Sequence, residues 1–364
     1  MKDSQIITGS DLLSRLPSAF FLAPINTGLA INGEPSEPLI QFHSERSGHK
    51  IGISYIGNVA IDPKYVTNSG TLYFTNSTSH WNKLTDIIHK NGSLAGIQIG
   101  CRNTRLQPPR NWKGTNVNNY IDTTSNEMLS YNKSHIIEIV EKFVDCAIDA
   151  YNTGFDVIQL HAAHGYFLSN LINPRLNIRD DEFGIENLGA IKLIVDGIRH
   201  RLPKIILDIR ISYLDGLEKS EVEKVDKYAI IKKIASMNVD IISVSNGTYD
   251  INKQLIYPPT TWGHGVYIDL VLPFAIAHPN IIWNVAGNIW NLSQLPNNLP
   301  SNLSFSVGRS LIADPQFIEK SLNNNDGSIA QCTRSNFCHY YSRGLQHITC
   351  PVYERSKTRI SIGD

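Results

Sequence analysis

Charge of either sign is not in excess: 33 lysines and arginines meet 33 aspartates and glutamates in 364 residues. A balanced chain lacks the broad positive field with which nucleic-acid binders gather phosphates, so no nucleic-acid partner is expected. An anionic ligand would need a local site. Long apolar runs are also absent. No stretch approaches the roughly 18 apolar residues that span a bilayer, and the opening MKDSQIITGSDLLSRL carries charges where a signal peptide carries its apolar core. No membrane partner is expected, and the cytoplasm is the expected compartment. The five cysteines, an odd number in a chain of this length, do not make a secreted disulfide framework. Internal repeats and linker-like stretches are missing too. With 41% hydrophobic residues the chain can bury a core, and a single domain over residues 1–364 is expected.

What is present is an alternation of short β-branched runs with longer amphipathic ones. Candidate strands are Phe20–Ala23, Gly52–Ile56, Leu94–Ile99, Phe155–His161, Ile205–Ile211, Asp240–Val244, Ile281–Ala286 and Leu303–Val307. Most are continuous apolar runs, as expected of parallel strands covered on both faces. Between them Ile136, Ile139, Val140, Phe143, Ala147 and Tyr151 recur with the helical period. Ala190–Leu202 and Val222–Met237 repeat the theme. Strand, helix, strand at this rhythm predicts parallel βα units. An open doubly wound sheet would give the same rhythm; the preferred reading is an α/β fold of one (β/α)₈ TIM barrel. Arg102–Asn132, polar and rich in Asn, Thr and Pro, reads as a long loop excursion after the third strand, over the face where barrel enzymes keep their sites.

The sharpest local feature is His161-Ala162-Ala163-His164-Gly165-Tyr166, directly after the fourth candidate strand. Strand alternation puts Gln159 and His161 on one face, and Gly165 permits a sharp turn. Two imidazoles converging on one point can donate hydrogen bonds to a carbonyl oxygen and stabilise charge developing on it. A phenol beside them can supply a proton to carbon. Ordinary loop histidines or a two-histidine metal site are the alternatives. A metal needs further ligands, none stands at an obvious spacing, and no metal is expected.

These residues resemble the Old Yellow Enzyme family of FMN-dependent ene-reductases. The likeness continues in family order through Phe21-Leu22-Ala23-Pro24, Gly96-Ile97-Gln98-Ile99, the block AYNTGFDVIQLHAAHGYFLSNLINP over Ala150–Pro174, Asn177–Gly184, Ile209-Arg210-Ile211-Ser212, Ser306-Val307-Gly308-Arg309 and Ala313-Asp314-Pro315. The resemblance implies FMN as cofactor and NAD(P)H as electron donor. It implies that His161 and His164 bind the electron-withdrawing oxygen of the substrate and that Tyr166 protonates the α-carbon. Ala23, Pro24, Asn26 and Asn58 would stand beside the flavin. Gln98 would meet its pyrimidine edge, and Arg210 would face N1 and O2, where negative charge collects on reduction. Gly287, Gly308 and Arg309 would hold the phosphate.

Several positions depart from the family pattern. Asn26 replaces the usual Thr or Cys near flavin O4. Ile56-Gly57-Asn58 lacks the usual Glu-Gly or Glu-Ala step, and Cys101 stands where His is common. Phe183-Gly184-Ile185-Glu186-Asn187-Leu188 is two residues shorter than the family's segment and lacks its arginine. Larger relatives carry an iron–sulfur cluster on four cysteines followed by a second domain. Here Cys332, Cys338 and Cys350 remain, Ser335 takes the second position, and a cluster or zinc site is not expected; the surrounding Arg334-Ser335-Asn336-Phe337 and Tyr340-Tyr341 are expected to close the flavin pocket instead.

The expected activity is NAD(P)H-dependent reduction of the activated C=C bond of an α,β-unsaturated carbonyl compound, in two half-reactions sharing one pocket. The alternatives are a flavin-dependent dehydrogenase or desaturase in a specialised biosynthetic pathway, or a non-catalytic flavin-binding protein. Assembly into a homo-oligomer is left open.

Overall fold

A computed structural model describes residues 8–102 and 116–362, the last six of them by backbone only. Eight parallel strands close on themselves: β1 (Phe20–Leu22), β2 (Ile53–Ala60), β3 (Leu94–Gly100), β4 (Val157–Ala162), β5 (Ile206–Ser212), β6 (Ile241–Ser245), β7 (Ile282–Ala286) and β8 (Leu303–Val307). Each pairs with its sequence neighbours, and β1 meets both β8, through Phe20↔Phe305, and β2, through Leu22↔Ser54. This is the (β/α)₈ barrel, and every candidate strand of the sequence lies within it. An open sheet is excluded because its first and last strands would not meet.

The helices on the outer face carry the expected apolar stripes, except that Tyr151, expected on the first of them, is exposed. Lys133–Asn152 buries Ile136, Ile139, Val140, Phe143 and Ala147; Gly189–Arg201 buries Ile191, Ile194 and Ile198; Ser220–Ala235 buries Ile230, Ile231 and Ile234. Between helices and strands lies the main apolar core.

The barrel interior is layered. At the N-terminal end Phe21, Ile53, Tyr55, Val157, Ile241 and Ile282 form a separate apolar cluster. The helix Gly9–Ser14 seals it from below with Leu13. Thr8 caps that helix in a reciprocal capping box with Asp11. Above the apolar layer the inward positions turn polar: Gln98, Gln159, Asp208, Ser243, Asn284 and Ser304.

One expectation is corrected here. Residues 103–115 of the excursion lie outside the described residues, but the part that follows is not a loop. Val117–Ser130 is a helix whose N-cap Asn116 accepts from the Asn119 amide at 3.1 Å. Its Asn- and Thr-rich composition disfavours helix. The cap and packing outweigh that preference: Tyr120 joins Leu176 and Leu217 in a small apolar cluster, and Met128 is fully buried. Tyr120, Thr124 and Met128 recur every four residues, a stripe too weakly apolar to read in advance.

Candidate active site at the barrel mouth

Every residue singled out from the sequence as a site candidate lines one cavity at the C-terminal mouth: Ala23, Pro24 and Asn26 beyond β1, Asn58 and Gln98 on β2 and β3, His161, His164 and Tyr166 at the end of β4, Arg210 on β5, Gly287 beyond β7, and Gly308 and Arg309 beyond β8. The positions converge because each sits at or just past the C-terminal end of its strand.

Local backbone features aim these side chains. The β2–β3 register shifts between Ile56 and Val59, turning Asn58 into the mouth. Gly57 lies within this shift, where a Cβ would stand 2.7 Å from Pro24 Cβ and 3.1 Å from Gln98 Cβ. Only glycine fits there. After β4 the chain reverses through His164 and Gly165, at φ 63° and 85°, so both histidines point to one place. Their rings lie 5.2 Å apart, with the Tyr166 ring 4.3 Å from that of His161.

The imidazoles are neutral groups. Burial, with the Arg210 guanidinium beside it, pulls His161 down to about 3. Burial, then His161 and Arg210, holds His164 well below the usual histidine range. His164 Nε2 is 2.8 Å from Ser245 Oγ, which also accepts from Arg210 Nη2 at 3.3 Å. Burial and the neighbouring Tyr249 raise the Tyr166 phenol above its ordinary value while Arg102 opposes them. Tyr166 therefore keeps its proton at neutral pH and can act only as an acid.

The depressed imidazoles predict a pH effect on stability. Burial, with the Arg46 guanidinium nearby, likewise lowers His43 to about 3. The native state binds fewer protons at these rings than the unfolded chain, whose histidines titrate near 6.5. Their stabilisation is complete above pH ~6.5 and is lost as the pH falls. Asp208, raised by burial to about 6, acts in the opposite sense over the same window, as do Asp149, Glu223 and Asp250, raised by burial; His264 and His339, lowered by burial, join the three histidines on the other side. A urea midpoint lower at pH 5.0 than at pH 7.5 is expected, with a smaller drop in His43→Gln. A midpoint that rises on acidification would refute the neutral histidines.

The residues fit a flavin. Arg210 is buried, forms no ion pair within 4 Å among the described residues, and leaves Nη1 without a hydrogen-bond partner there. A buried cation so placed is matched to a ligand that gathers negative charge. At Gly308 a Cβ would project into open cavity with Ala23 Cβ, at 3.9 Å, its only neighbour within 4 Å, so the backbone there is bare to a phosphate. Arg309 stands beside it, held by Pro258 O and Asn288 Oδ1 at 2.9 and 2.8 Å.

The profile of the NADH:flavin oxidoreductase / NADH oxidase family matches residues 16–265. The chain belongs to this family. It is the Old Yellow Enzyme family to which the sequence motifs pointed, and FMN is its cofactor with NAD(P)H as electron donor. The NADH oxidase of Thermoanaerobacter brockii is 27% identical over 338 residues, which are 86% of this chain and 50% of that protein. The NADPH dehydrogenase of Clostridium acetobutylicum is 28% identical over 207 residues, 55% of this chain and 58% of that protein. The chain thus spans little more than half the length of these relatives. In fold, the Old Yellow Enzyme of Pichia sp. AKU4542 superposes with a TM-score of 0.66 at 15% identity, covering 85% of this chain and 84% of that one.

Within this member of the family the departures from the family pattern separate into two groups. Asn26 reaches the cavity, but its amide is engaged by its own chain: Nδ2 donates to Asn58 Oδ1 at 3.3 Å and Thr67 Oγ1 at 3.0 Å, and Oδ1 accepts from Tyr340 at 2.9 Å. Asn58 keeps Nδ2 unpartnered among the described residues. By contrast, no residue of 183–188 lines the cavity. Leu188 instead starts the helix Gly189–Arg201 from a left-handed conformation, φ 49°, so its substitution concerns that helix and not the pocket. Cys332, Ser335, Cys338 and Cys350 do gather around one small pocket beside Arg309. No set of three metal-ligating side chains among the described residues is placed to hold an ion.

Several cavity residues have no signal in the sequence. Arg102 donates to Thr67 O at 3.0 Å, and Tyr249 and Tyr257 join hydroxyls at 3.1 Å. Single tyrosines and arginines in loops carry no spacing that could mark these three. Tyr340 and Tyr341, expected from their place among the residual cysteines to close the pocket, do line the cavity, as does Arg334, near Arg309.

Proposed function

We propose that the protein reduces the activated C=C bond of α,β-unsaturated carbonyl compounds with electrons from NAD(P)H. The observation that carries this reading is the convergence of neutral His161 and His164 with protonated Tyr166 on one side of a cavity whose floor holds Arg210. Bound FMN would supply the hydride chemistry that links NAD(P)H to the substrate's β-carbon. The chain supplies the rest. His161 and His164 polarise the carbonyl oxygen, Tyr166 O–H gives its proton to the α-carbon, and Arg210 stabilises charge on the cofactor's ring edge. Gln98 fixes that ring, and Gly287, Gly308 and Arg309 take the phosphate.

The discriminating experiment is anaerobic. Protein reconstituted with FMN is reduced with one equivalent of NADPH, then titrated with cyclohexenone while flavin absorbance is followed. Reoxidation by the enone is expected. Flavin that is reduced but stays so with the enone would favour the dehydrogenase or desaturase alternative, and protein that takes up no FMN would sink both readings.

A further inference from the structure

The barrel interior carries an ionisable group for which the proposed chemistry has no use. Asp208 is completely buried one layer below the cavity floor. Its Oδ2 accepts from Tyr55 OH at 2.7 Å, from Ser243 Oγ at 2.8 Å and from Gln159 Nε2. Gln159 Oε1 in turn accepts from Gln98 Nε2 at 2.7 Å. The facing groups come from four strands: Tyr55 on β2, Gln159 on β4, Arg210 on Asp208's own β5, and Ser243 on β6. Arg210 is the only one of them that is charged. It lies two residues along the strand on the same face, roughly 7 Å away by strand rise.

A carboxylate can only accept hydrogen bonds. Gln159 must therefore turn its NH₂ toward Asp208 and its oxygen toward Gln98. Gln98 must then spend an N–H on Gln159, which leaves its Oε1 on the ligand side. The direction of two amides is fixed by one buried charge. The same charge stands beneath Arg210, the cation of the cavity floor, and opposes its field.

We infer that Asp208 is a positioning residue for the cofactor: through Gln159 it presents the Gln98 oxygen as an acceptor to a flavin ring N–H, and as the counter-charge of Arg210 it holds the reduction potential of bound FMN down. The inference rests on FMN lying in the cavity, as in the proposed function. Burial raises Asp208 to about 6, with hydrogen bonds from Gln159, Tyr55 and Ser243 opposing the rise. The carboxylate is thus ionised at neutral pH and lost in mild acid.

The test measures the midpoint potential of FMN in the holoprotein from pH 5 to 8. Asp208→Asn keeps the shape and removes the charge. Its potential is expected to be more positive at pH 7.5, with reduced FMN bound about tenfold more tightly relative to oxidised FMN, or about 30 mV for a two-electron couple. Wild-type protein is expected to show an additional rise in potential as the pH falls through about 6. Asp208→Asn should lack it and Asp208→Glu should keep it. The reduced flavin titrates in this range itself, so the bend is read as the difference between wild type and variant; Asp208→Ser, also uncharged, makes the same comparison if Asp208→Asn folds poorly. A pH series of the same shape in wild type and uncharged variant, or a variant potential equal to the wild type, overturns the role while leaving enone reduction intact. Potentials that shift as expected in a protein inert toward enones support the role and sink the enone reading instead.

Discussion

Replacing Tyr166 with Phe is expected to slow reoxidation of the reduced enzyme by an enone by about 10²- to 10⁴-fold, the range that a positioned general acid contributes. Flavin reduction by NADPH should change less than about threefold, since that half-reaction transfers no proton to carbon. Tyr166 is buried, its ring packs 4.3 Å from His161, and its raised phenol stays protonated across the working range. A phenylalanine keeps the ring contacts and loses only the O–H, so the loss reports on proton delivery and not on packing. Stopped-flow traces of the two half-reactions separate these effects. Equal damage to both would show that Tyr166 shapes the cavity instead of donating to substrate. Residual activity should keep the same regiochemistry, because His161 and His164 still place the carbonyl.

Replacing Arg210 with Met is the second change expected to be large, and it should act on the opposite half-reaction. Removing one preorganised charge from a desolvated site costs about 10²- to 10³-fold in rate. That loss is expected in flavin reduction by NADPH, with weaker FMN retention on gel filtration. Arg210 is a buried cation of the cavity, with Nη2 on Ser245 Oγ and Nη1 lacking a partner among the described residues. Arg210→Lys should recover part of the rate, because it restores the charge without the guanidinium's planar reach. Asp208 would lose its attracting neighbour in Arg210→Met and should hold its proton to higher pH than in the wild type. If Arg210→Met reduced at the wild-type rate with unchanged FMN retention, Arg210 would be a structural side chain of the barrel interior and the flavin would lie elsewhere.

The two predictions divide the cavity into a substrate wall and a cofactor floor. Ser245 joins them, since one hydroxyl bonds to both Arg210 and His164. Under the proposed function the departures at Asn26 and Asn58, joined by a hydrogen bond in the cavity lining, fall on the cofactor side. They therefore bear on the cofactor's environment before they bear on substrate choice. Leu188, remote from the cavity, bears on neither.

The sequence by itself determined the barrel strands, because parallel strands covered on both faces must be short, continuous and apolar, and such runs between amphipathic helices stand out. It also marked the candidates His161, His164 and Tyr166 and the others that line the same cavity, because these residues sit at strand ends in motifs a few residues long, where spacing along the chain nearly equals spacing in space. It did not determine the helix Val117–Ser130, whose polar residues conceal a stripe that only Leu176 and Leu217 complete. Nor did it mark Arg102, Tyr249 and Tyr257 at the rim, or the Tyr55–Asp208–Gln159–Gln98 network within. The network joins residues 49 to 153 positions apart. Closure of the barrel alone decides which of them meet, and desolvation there, a property of the folded interior, decides which protons Asp208 and the histidines keep.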